Sequence, residues 1–146
     1  MSDLALPCVP LVAFTVHGLP ISQGSKNPWG GESNAKKLKP WRAAISAEAG
    51  EQMNGRPLED GPVRLRANFY FPRPKSHFGT GRNARVLKES APSYVTKTPD
   101  LDKLVRAVGD ALTDVVLRDD AQIVHLDVWK YWGDAARCDI VVEPLL

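Results

Sequence analysis

Residues 63–71 alternate without a break, with Val63, Leu65, Ala67, Phe69 and Phe71 on one side and Arg64, Arg66, Asn68 and Tyr70 on the other. A period of two over that length specifies a β-strand with one face turned to a core and one left open. Turn signals bound it, Gly55, Pro57 and Gly61-Pro62 before and Pro72 after. A strand of this kind is not stable alone; its apolar row must be covered by elements from the rest of the chain.

Two amphipathic helices are available as that cover. Pro40 suits the first turn of a helix, and Trp41, Ile45, Ala49 and Met53 then recur every fourth residue on one face. Trp41 reads as a core anchor rather than as a base-stacking residue. Pro99 opens the second helix, in which Leu101, Leu104, Val105, Val108, Leu112 and Val115 form a continuous apolar stripe. Shorter strand patterns at 11–17, 123–132 and 138–142 complete the set, the last two joined at Gly133-Asp134 as an expected hairpin. The order β-α-β-α-β-β predicts an α/β (α+β) fold, a mixed sheet of about four strands with two main helices packed on a face. A length of 146 residues is that of one ordinary domain, here 1–146, and no internal repeat is visible.

Composition is unremarkable at 43% hydrophobic and 25% charged, which excludes a disordered or fibrous chain. The placement of charge is more informative. Residues 1–63 are balanced, residues 64–97 carry eight Lys/Arg against one Asp/Glu, and residues 98–146 carry five against ten. A basic stretch followed at once by an acidic one suits a chain that attracts a polyanion with one part and binds a cation with the next, unless the charges mix on the folded surface. The two stretches without a period, 22–39 and 72–98, are expected to be flexible basic loops. Lys26 in the first, and Arg73, Lys75, Arg82, Arg85, Lys88 and Lys97 in the second, are candidates for contact with a phosphate backbone. Solvated lysines and a linker without a role are the alternatives.

Cys8 and Cys138 lie far apart with no CxxC spacing, so neither a structural zinc site nor a disulfide framework is expected, and a reducing cytoplasm fits. The apolar run near the start is broken by Pro7 and Pro10 and carries Asp3 where an export signal has Lys or Arg; neither a signal peptide nor a membrane span is expected.

The chemistry concentrates around the second helix. Asp100 and Asp102 stand at its start, and Asp119 and Asp120 follow it. The two clusters meet only if the chain before the helix and the strand after it lie side by side. Carboxylates brought close repel one another unless they bind a cation or hold protons, and magnesium, which takes oxygen ligands and substrate phosphates, is the natural occupant. Alternatives remain for each residue. Asp100 or Asp102 can favour the positive end of the helix, and Asp119-Asp120 can be turn residues. Arg106, one turn after Asp102, either steadies charge on a phosphate or forms a helix-surface pair with Asp102 or Asp110, the latter being favoured by geometry alone. His17, His77 and His125 show no spacing to each other or to the acids that implies a ligand set.

The run Asp100-Leu101-Asp102-Lys103-Leu104, the helix through Asp110-Ala111-Leu112, and then Asp119-Asp120-Ala121-Gln122-Ile123-Val124 resemble the signature of the RusA family of Holliday junction resolvases. The likeness is dense over 98–125 and looser at Gly18-Leu19-Pro20-Ile21-Ser22-Gln23-Gly24-Ser25-Lys26, which is similar to a turn of that family. The resemblance implies a homodimeric enzyme of bacterial, prophage or phage origin that uses Mg2+ or Mn2+ to nick paired strands of a four-way DNA junction in recombination and repair. It places Asp100, Asp102 and Asp120 at the family's metal-site aspartates. The family's catalytic lysine falls at Arg106, a departure that keeps the charge but not the compact, titratable ammonium. Lys103 is a possible supporting cation, and Asp119 a possible supporting acid. An isologous dimer would present two sites with the two-fold symmetry of paired nicks, with the basic loops lining a surface for the junction. A related nuclease for other branched DNA, and a catalytically silent junction-binding dimer, are the rival expectations.

Overall fold

The computed structural model describes residues 9–24 and 35–145. Strand β1 (Val12–His17) is followed by helix α1 (Ala35–Met53), strand β2 (Val63–Pro72), helix α2 (Leu101–Leu112), strand β3 (Ile123–Gly133) and strand β4 (Arg137–Pro144). The strands form one mixed sheet in the order β1-β4-β2-β3. β3 pairs parallel with β2, while β4 pairs antiparallel with both β1 and β2. β1, β2 and β3 therefore run one way and end on the same side of the sheet. The element order, the single domain and the mixed sheet are as the sequence predicts.

The alternation that specifies β2 is realised in the core. Val63, Leu65, Ala67 and Phe69 are buried, as are Cys138, Ile140 and Val142 of β4 and Val12 and Val16 of β1. Trp41, Ile45, Ala49 and Met53 of α1 and Leu104, Ala107, Val108, Ala111 and Leu112 of α2 cover this face. Burial pushes the Cys138 thiol far above its ordinary value, which leaves it inert as a nucleophile. Among the described residues no helix is long and apolar enough to cross a membrane.

Three boundaries differ from expectation. β3 and β4 are not a hairpin, because β2 lies between them. A connection of residues 134–136 has the length of a hairpin loop, but it passes the end of β2, where Pro72 has no N–H to pair. Burial explains the choice: β4 is apolar enough for a central position, whereas β3 leaves Val124, Leu126 and Trp129 about half or more exposed, as an edge strand does. α1 starts at Ala35, so that Lys36, Lys37 and Lys39 are helical and Pro40 lies inside the helix. The proline removes one bond near an exposed end, where water can serve the freed carbonyl. α2 stops at Leu112, and Val115 lies beyond it. Thr113 donates its hydroxyl to the Gly109 carbonyl at 2.9 Å, and Asp114 takes a positive φ of 67°.

No helix covers the opposite sheet face among the described residues. Glu143, only 8% exposed, accepts bonds from the Arg64 guanidinium at 3.1 and 3.0 Å, with Arg66 at 3.7 Å. The Arg64 hydrogen bonds hold the Glu143 carboxyl below its ordinary value of 4.5 against the opposing effect of burial. The folded pKa is the lower one, so this pair contributes its stability above the unfolded pKa and loses it as pH falls through the folded pKa. Glu143→Gln is expected to cost about 1–3 kcal/mol near neutral pH. Urea unfolding of both proteins across the acid range should show the gap closing below pH 4.5.

Candidate active site

α2 lies beside β3: Ile123 and Asp120, at the start of that strand, stand next to Gly109, and Lys130 further along it reaches the carbonyls of Lys97 and Pro99 just before the helix. Asp100 occupies the N-cap position, yet its side chain makes no capping hydrogen bond. It faces Lys103 at 3.5 Å instead. Asp102 is exposed in the first turn and has no ion-pair partner among the described residues. Arg106 is exposed as well, and the surface pair with Asp102 or Asp110 that geometry favours is not formed among the described residues. Neither first-turn acid makes a capping hydrogen bond, and both stand where the positive end of α2 favours a carboxylate.

The second pair of acids divides into one that caps a turn and one that faces α2. Asp119 caps the 3-10 turn Asp120–Gln122: its carboxylate accepts from the Ala121 N–H at 2.9 Å, and Gln122 Oε1 accepts from the Asp119 N–H at 2.9 Å. Gln122 also donates to the carbonyls of Glu59 and Gly61, which pins the turn to the chain before β2. Asp120 points instead toward α2. Its Cβ and Oδ2 lie 3.7 and 4.0 Å from where a Cβ on Gly109 would stand, so a glycine at 109 lets the carboxyl approach the helix. The hydrogen bond with Asp119 raises the Asp120 pKa, burial adds to this, and the charges of Asp119 and Asp110 follow. The Ala121 N–H and the hydrogen bond with Asp120 hold Asp119 below its ordinary value.

Asp102, Arg106 and Gly109 lie three to four residues apart, on one face of α2. Asp120, seated on Gly109, therefore shares that face with Asp102, and Arg106 stands between them. Seven residues separate Asp102 from Gly109, about 10 Å along the axis. Asp102 and Asp120 accordingly flank one strip of helix rather than one point. Among the described residues no three His, Cys, Asp or Glu side chains form a group that could hold a metal ion. The donor chemistry nonetheless fits a hydrated magnesium, which needs only one or two carboxylates beside water and phosphate oxygens. The crowding that raises Asp120 is the kind a cation relieves.

Lys130 is a contributor that sequence reasoning missed. Its Nζ donates to the carbonyls of Lys97 and Pro99, at 2.9 and 3.0 Å, and so fastens the chain leading into Asp100 and Asp102. The available signal was a lysine on the otherwise apolar row Leu126, Val128 and Trp132 of β3.

The stretch expected to be a flexible basic loop carries local structure. The 3-10 turns Lys75–His77 and Gly81–Asn83 are joined by an antiparallel bridge between Phe78 and Leu87. The Lys88 N–H donates to the His77 carbonyl at 2.9 Å, and the Gly79 N–H to that of Val86 at 3.0 Å. Arg73 is internal to this arch, donating to the Pro92 carbonyl at 2.8 Å and lying over the Trp132 ring at 5.4 Å. His77 is buried edge-on to the same ring, and burial, followed by Arg73, Lys97 and Lys88, holds its pKa below the ordinary value. Lys75, Arg82, Arg85, Lys88 and Lys97 are exposed and without ion pairs among the described residues. Lys26 lies outside the described residues.

Residues 24–143 match the family model described as Endodeoxyribonuclease RusA. The chain is also similar to the "Uncharacterized protein YqaN" of Bacillus subtilis (strain 168), with 31% identity over 144 residues, covering 92% of this chain and 96% of that protein.

Proposed function

This chain belongs to the RusA endodeoxyribonuclease family, and we propose that it resolves four-way DNA junctions by paired nicks, as a homodimer that uses Mg2+ or Mn2+ in the cytoplasm of a bacterial or phage-infected cell. The observation that carries this reading is the placement of Asp102 and Asp120 along one face of α2, with Arg106 between them and neither acid neutralised by a basic side chain among the described residues. Asp102 and Asp120 would hold the metal, with Asp100 adjoining. When bound, such a cation supplies neutralisation of the phosphodiester and acidification of an attacking water. Arg106 presents a guanidinium, whose part is to face the charge that builds on the phosphate. Lys103, paired with Asp100, holds that acid in place. Lys130 positions the turn before it. The exposed cations of the arch fix the DNA backbone without reading bases.

The test is cleavage of a synthetic four-way junction beside matched linear duplex, with and without Mg2+ or Mn2+. Symmetric paired nicks that need metal are the expected result; equal cutting of duplex would overturn it. A junction-binding protein without chemistry is the second reading, favoured by the spread of Asp100, Asp102 and Asp120 along the helix rather than around a point. Binding without nicks in either metal is its signature.

Gly109 offers a check on Asp120. Gly109→Ala places a Cβ at ordinary contact distance from Asp120, and is expected to add about 0.5–1 kcal/mol of stability through helix propensity. Gly109→Leu displaces the carboxyl, and cleavage should fall at least about tenfold. Melting temperatures and single-turnover rates of the two variants separate the effects. Equal rates would remove Asp120 from the site.

A further inference from the structure

The cavity between the arch and the end of β3 has a composition that backbone binding does not account for. It encloses about 460 Å³ and is lined by Arg73, Phe78, Arg85, Leu87, Trp132 and Asp134. That volume lies within the range of small-molecule sites. We propose that it is a pocket for one unpaired nucleotide of the branched DNA, with the phosphate on Arg85, the base against Phe78 and Trp132, and the base's amino group on Asp134. This rests on the reading of branched DNA as the substrate.

The pocket is built before any ligand arrives. Arg73 is tied to Pro92 and laid over Trp132, His77 abuts that ring, and backbone bonds from Gly79 and Lys88 close the arch. A preformed wall reduces the ordering that binding requires. Arg85 and Asp134 are both exposed and line the same space, yet neither has an ion-pair partner among the described residues. A ligand with an anionic end and hydrogen-bond donors at the other end serves both; inorganic phosphate leaves Asp134 and the aromatic wall without a role.

A paired, stacked duplex cannot enter such a space. Bases at a branch point are the least costly to unstack, and aromatic walls receive them with little sequence preference. Preference enters through Asp134. An ionised carboxylate only accepts hydrogen bonds, so it favours adenine, cytosine or guanine over thymine, which has no exocyclic amino group.

Four-way junctions with 2-aminopurine at each branch position in turn, titrated with the full chain in EDTA to prevent cutting, test the pocket. Fluorescence at one position should rise by about threefold or more on binding, as an extruded base loses its stacking neighbours. Asp134→Ala separates a base contact from electrostatics. Loss of an acid from a DNA-facing surface strengthens binding through phosphate attraction alone; a base contact requires the fluorescence rise to fall by at least about half. Thymine at the responsive position should weaken wild-type binding and leave the Asp134→Ala protein indifferent. A flat signal from a bound junction, or a rise that Asp134→Ala leaves intact, overturns the pocket while the substrate reading stands. Equal affinity for junction and duplex overturns the substrate reading, and the pocket with it.

Discussion

Asp102→Asn should retain the fold and most junction affinity while cleavage falls by roughly a thousandfold or more, because a neutral amide is a poor magnesium ligand and supplies no charge. The side chain is exposed at the first turn of α2 and makes neither a cap nor an ion pair among the described residues. An isosteric amide therefore disturbs no packing. The expected stability loss is confined to the helix-end charge effect, about 0.3–1 kcal/mol. Single-turnover cleavage and junction binding in EDTA, measured on the same preparation, separate chemistry from recognition. Cleavage within about tenfold of wild type would remove Asp102 from the metal site, since removing a ligand from such a site costs far more. Asp119→Asn should behave differently. Its carboxylate caps the 3-10 turn that carries Asp120, so its loss is expected to lower stability as well as rate.

That contrast marks where sequence stopped short. By residue type Asp119 and Asp120 are alike and only the family resemblance separates them; the fold gives the physical reason, one capping a turn and the other reaching Gly109. The β2 strand and the buried faces of α1 and α2 were legible because period fixes which side chains share a face. The partner of β4 was not: a three-residue connection fits a hairpin and also a crossing past the end of β2, and the choice rests on how much of β3 tolerates water. Pro40 misled for a related reason. Its preference for a first turn is real, but a helix whose end is solvated survives the loss of one bond. The arch at 73–97 has no period because its frame is made of backbone bonds and one half-buried arginine, and neither leaves a repeating trace. Arg73 looked like the other loop cations in sequence, yet it is the one that holds the arch together.

Replacing Arg82, Arg85 and Lys88 together by Ala tests the remainder of the charge pattern. The three side chains are exposed and unpaired among the described residues, so the arch held by Arg73 should keep its melting behaviour. Each cation withdrawn from a phosphate should lower the slope of log affinity against log salt by about 0.9, and the three together by about 2.7. Junction affinity at moderate salt should weaken by roughly ten- to a hundredfold. The three cations should not behave alike if the pocket takes a nucleotide. Arg82 and Lys88 should act on any DNA through the salt slope alone, whereas Arg85 should also lower the 2-aminopurine response at the branch. Affinity and slope both unchanged in the triple variant would mean that the arch faces away from DNA. The basic stretch would then be a solvated surface, and α1, with Lys36, Lys37, Lys39 and Arg42 in its first half, would be the next place to look for the backbone contact.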